Sequence, residues 1–183
     1  MLRRRRASDD PLAQVDPAAT SPRFAPAVAE AIDVRRRYRD LLAGLRPGPM
    51  RDQLTLSGER LDDGVLAVWD TARRATEIER TLAALDPERV TAEYKRSRRA
   101  DDDPELESAL GQRFASVQRL LNALDDTDDR LRLLDARLGA AVAQAAEIAL
   151  GTSGEDAAGA LDAQLAGVVD ELGTLRSALD ELA

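Results

Sequence analysis

Residues 110–148 read LGQRFASVQRLLNALDDTDDRLRLLDARLGAAVAQAAEI. Leu110, Val117, Leu124, Leu131, Leu138 and Ala145 recur every seven positions, and Phe114, Leu121, Asp128, Leu134, Ala141 and Ile148 interleave with them. A sustained seven-residue apolar repeat holds one seam along one side of a helix, which is the signature of a coiled coil. The spacing predicts a single helix from about Pro104 to Leu150. Asp103-Pro104-Glu105 supplies its start: an N-cap, a proline at the first helical position and an acid in the first turn. Gly151 closes it, and Ser153 with Asp156 three residues on resembles a capping box for the next helix. In that fifth helix Leu161, Leu165, Val168, Leu172, Leu175, Leu179 and Leu182 alternate steps of four and three.

A short loop between long helices implies antiparallel neighbours. Folding the chain about Ser153 sets Leu124 against Leu182, Leu131 against Leu175, Leu138 against Val168, and Ala145 against Leu161. Every pair is apolar, so residues 101–183 read as a long helical hairpin. The same folding about Gly48 pairs a first helix (about Ala27 to Leu45) with a second (about Met50 to Leu85), setting Leu42 against Leu54 and Val28 against Val68. Ser57-Gly58 is the weak point of the second helix. Asp86-Pro87-Glu88 repeats the start signal and opens a short third helix to about Arg99. Folded about Asp86, that helix would return along the second one, with Val90 meeting Leu82 and Tyr94 meeting Ile78. Residues 27–100 are therefore expected to form an N-terminal helical bundle. The hairpin of helices four and five would project from it or stack on its end. Residues 1–26 hold four of the eight prolines and few large apolar side chains, which reads as a disordered basic tail. The fold class is all-α: an elongated antiparallel helical bundle or coiled coil of about five helices.

Composition agrees and excludes much chemistry. The 183 residues contain no histidine and no cysteine, so imidazole or thiolate nucleophiles, the corresponding metal sites and disulfides are all ruled out. Lys95 is the only lysine among 26 basic residues, a bias that cautions against reading meaning into arginine alone. Residues 1–100 carry 20 Lys/Arg against 16 Asp/Glu, and residues 101–183 carry 6 against 18. Phosphate contacts need cations, so nucleic acid ranks last among partners. The longest uncharged run, Leu138–Ala146, is far short of the roughly 20 residues of a membrane span. The opening MLRRRR is followed by Ala7-Ser8-Asp9-Asp10-Pro11 and not by an apolar core, so secretion is not expected and a cytoplasmic location is.

Four features invite a functional reading. Arg3, Arg4, Arg5 and Arg6 suit an anionic membrane surface, or form a solvated tail. Trp69, the only tryptophan, is either an anchor for a protein partner or a boundary residue sealing the core. Leu120 and Leu133, with Val142, lie beside the main stripe of the fourth helix, where one partner helix would not cover them, and so suggest self-association. Asp125-Asp126-Thr127-Asp128-Asp129 resembles a calcium loop but carries Arg130 where glycine is required and Ala136 where the bidentate glutamate belongs. Pairs at four-residue spacing, Asp126 with Arg130 and Asp128 with Arg132, suit a salt-bridged helix face better. Lys95-Arg96-Ser97-Arg98-Arg99 running into Asp101-Asp102-Asp103 reads as a self-neutralising helix junction. No catalytic residue, cofactor or metal is expected. The function expected is that of a non-enzymatic coiled-coil scaffold or adaptor that binds a protein partner or itself. The alternative is a peripheral membrane protein attached through the arginine tail.

Overall fold

A computed structural model describes residue 10 and residues 12–100, 103–152 and 156–182. Five helices account for almost all of it: α1 (Ala25–Gly44), α2 (Pro49–Ala84), α3 (Pro87–Ala100), α4 (Pro104–Ala149) and α5 (Ala157–Asp180), with a short 3-10 helix at Pro17–Ala19. The protein is an all-α bundle. Both Asp-Pro-Glu start signals operate where the sequence places them. Asp103 Oδ1 accepts from the N–H of Glu105 (2.9 Å), and Asp86 Oδ1 accepts from the N–H of Arg89 (3.1 Å). Asp86 also turns the chain through a left-handed backbone (φ 52°), which aspartate tolerates better than most residues. The proposed cap at Ser153 lies outside the described residues.

Four helical segments share one core. α2 and the second half of α4 form a central antiparallel pair, and α1 and α5 lie along opposite sides of it, each touching both. α1 returns on α2 in the expected register: the Tyr38 ring rests on Gly58, and Arg35 reaches Asp62. α5 returns on α4 likewise. The Nε2 of Gln164 donates to the carbonyl of Arg137 (3.1 Å), and Arg137 pairs with Glu171, so these contacts bracket Leu138 and Val168. Across the hairpins α2 and α5 run parallel. Arg60 meets Asp162, Asp70 meets Arg176, and Arg74 meets Asp180, stepping the same way along α2 and α5. Gly64 of α2 faces the Leu138 side chain of α4, and a Cβ there would stand 3.4 Å from it. Leu161, Leu165, Val168, Leu172 and Leu179 of α5 are at most 2% exposed.

Three expectations are corrected. The third helix does not fold back along the second. α3 packs on α4 instead, antiparallel to its first turns, with Tyr94 stacked on Phe114 (centroids 4.8 Å, 19° between planes) and Glu93 paired with Arg113. The left-handed turn at Asp86 lets the chain run on beyond the end of α2 without reversing, so α2 and α3 face successive stretches of α4. Consequently α4 and α5 are not a projecting hairpin. α5 is embedded against α2, and the projecting part is α3 with the start of α4. Finally, the tail ends well before residue 26. Leu12 is 7% exposed, Phe24 is wholly buried, and the N–H of Ser21 donates to Thr76 Oγ1 (2.9 Å). The apolar side chains at positions 12 and 24 offset the ordering of the proline-rich stretch between them.

Candidate interaction surfaces

The bundle's outside is stitched by arginines, and these pairs account for the basic run at residues 35–39. Arg35 bridges Asp10 and Asp62 (2.7 Å to each), Arg36 pairs with Asp33, Arg37 with Glu30, and Arg39 with Asp62. The apparent basic patch at residues 35–39 is therefore neutralised by acids of the same surface. The guanidinium of Arg35 holds the Asp10 carboxyl below its ordinary range. Arg23 reaches Asp125 (2.6 Å) and Asp128 (3.7 Å), tying the N-terminal segment to α4. Asp128 also pairs with Arg132 (2.8 Å) as its spacing predicts, whereas Asp126 and Arg130 form no ion pair among the described residues. Exposed pairs of this kind contribute about 0–1 kcal/mol each, so they fix register more than they stabilise.

The single tryptophan is not a surface anchor. Trp69 of α2 is 7% exposed, and the Arg73 guanidinium lies over its ring, 4.9 Å from the centroid. Its Nε1 is buried without a partner. An anchor must present its ring to a partner, and this ring is already covered. Leu120 and Val142 are likewise half-buried against the core, so the bundle covers side chains that the sequence left over. α4 has four neighbouring helices along its length, α1, α2, α3 and α5, where its hairpin partner alone would have left these side chains bare. Leu133 alone remains on the surface (47% exposed), as a single leucine and not part of a patch. Arg3, Arg4, Arg5 and Arg6 lie outside the described residues.

One buried acid went unnoticed in the sequence. Asp135 sits on α4 where α1 crosses it, with Oδ1 buried and unpartnered. Burial, and then the nearby charge of Glu30, push its carboxyl up to about 7. No sequence signal marks it, because an aspartate beside the seam looks like any solvated one.

The arm formed by α3 and the first turns of α4 differs from the rest. α3 has an extended contact with α4 alone. Val90 and Ser97 are buried, Tyr94, Phe114 and Leu110 are half-buried, and Leu106 is 49% exposed. The outward face of α3 carries Glu88, Ala92, Lys95, Arg96 and Arg99, all exposed. Of the basic run that ends α3, Arg98 pairs with Glu107 (3.7 Å), while Lys95, Arg96 and Arg99 have no ion pair among the described residues. The junction is thus only partly self-neutralised there; Asp101 and Asp102 lie outside the described residues. At the root of the arm an open cleft of about 920 Å³ is lined by Ala83, Pro87, Thr91, Ala92 and Leu121, with Asp86, Glu88 and Lys95 at its rim. No group of three or more acids among the described residues is arranged to hold a metal, and no described helix is long and apolar enough to cross a membrane.

Comparison with known families, with curated proteins and with solved structures finds no match for this chain.

Proposed function

We propose that this protein is a non-enzymatic helical scaffold or adaptor whose working part is the α3/α4 arm. The observation that carries this reading is the coverage of α3: it packs on one helix only and turns a whole charged face, with an apolar-lined cleft beside it, to the outside. The four-helix body supplies the rigid base from which the arm extends. A helix lying in a groove between two others is a common mode of protein recognition, and the cleft between α3 and α4 offers such a seat. The cytoplasm is the compartment this reading assigns.

The test is site-specific crosslinking in the native cell. A photo-reactive benzoyl-phenylalanine in place of Lys95 should yield a discrete adduct, identified by mass spectrometry, with the chain itself counted as a permitted partner. The same group in place of Ala163, on the exposed side of α5, is the control. Adducts from position 163 with none from position 95 would overturn the reading.

A further inference from the structure

We propose that the arm's partner is a second copy of this chain, with the outward faces of the two α3 helices lying antiparallel about Ala92. This rests on the reading of the arm as the working surface and adds the identity of what it binds.

The argument is the placement of charge along α3. Glu88, Ala92 and Arg96 stand four residues apart and therefore share one face. The face is acidic at the root and basic at the tip, with a small residue midway. Turned end for end on itself about Ala92, it sets Glu88 against Arg96 of the second copy and Arg96 against Glu88 of the second copy. Two-fold pairing of this kind, in which one patch meets its own copy, is the commonest route to a closed oligomer. Neither Glu88 nor Arg96 has an ion pair among the described residues, so both are available. Ala92 lets the two backbones come close at the axis. Lys95 falls opposite Arg89, whose charge Asp86 and Glu93 already offset at 3.8 Å. The second copy's helix would also lie across the mouth of the cleft beside this face.

A helix of 14 residues is about 21 Å long, so the buried area is at the small end of specific interfaces and the association is weak. The experiment is sedimentation velocity of the full chain from about 5 to 500 µM at low salt, which keeps exposed ion pairs unscreened. Four forms are compared: the natural chain, Glu88→Arg, Arg96→Glu and the double exchange. All sites are exposed, so circular dichroism should show the same helix content throughout. The natural chain should dimerise in a concentration-dependent way. Each single exchange turns two attractive pairs repulsive and should weaken dimerisation about tenfold or more. The double exchange should restore it. A natural chain that stays monomeric across the range overturns the proposal, as do single exchanges that behave like it or a double exchange that fails to rescue. If the chain is monomeric and position 95 still crosslinks to another protein, this inference falls and the scaffold reading stands. If the chain is monomeric and position 95 captures nothing, both fall.

Discussion

The hydroxyl of Tyr38 on α1 donates to the backbone carbonyl of Leu54 on α2 at 2.7 Å, inside the core. Burial pushes that phenol up to about 12. Tyr38 is 1% exposed, so a hydroxyl lacking this partner would carry an unmet desolvation cost. Tyr38→Phe removes the donor while keeping the ring and should lower stability by about 1 kcal/mol. Tyr38→Ala also empties the site and should cost about 3–5 kcal/mol, by analogy with other large aromatic truncations. Urea midpoints measure both. Equal losses for the two would mean that the ring packs loosely.

Gly58 lies under the same ring, and a Cβ there would stand 3.1 Å from Tyr38 Cε1. Alanine in a helix interior ordinarily gains about 1 kcal/mol over glycine. At Gly58 the ring is held by its hydrogen bond and cannot withdraw, so Gly58→Ala should forfeit that gain or destabilise. Gly173 of α5 has nothing within 4 Å of the same position, and Gly173→Ala should show the full gain. Matching thermal shifts for the two variants would refute the close packing of Tyr38 on α2.

Asp135 makes stability depend on pH. In the fold its carboxyl is raised to about 7 from an ordinary value of 3.8. Between those values the folded chain holds a proton that the unfolded chain has lost. Stability therefore falls as pH rises through that window and levels off above about 7. Asp135→Asn should flatten the profile over that range and narrow the gap between acid and neutral pH. Parallel pH profiles for the variant and the natural chain would show that Asp135 ionises freely in the fold.

Phe24 is wholly buried although it stands in a proline-rich stretch. Phe24→Ala should cost about 3–5 kcal/mol, as for any large core truncation. A change within about 0.5 kcal/mol, the range of surface substitutions, would return residues 12–24 to the status of a tail.

The sequence by itself determined the helices and their ends. Heptad and four-three spacing, the Asp-Pro-Glu starts and the glycine at position 151 are local signals, and backbone hydrogen bonding in a helix is local as well. It also determined the registers of the α1/α2 and α4/α5 hairpins, because once a short loop reverses the chain its length fixes which positions meet. It could not determine which hairpin lies against which, nor where the third helix goes. An apolar seam accepts any apolar seam, so Tyr94 suited Ile78 on paper as well as it suits Phe114 in the fold. The left-handed turn at Asp86 and the packing of Phe24 bear on those choices. They in turn buried Trp69, half-covered Leu120 and left α3 with one face outward. Exposure of a side chain depends on every neighbour at once, and only the tertiary structure brings those neighbours together.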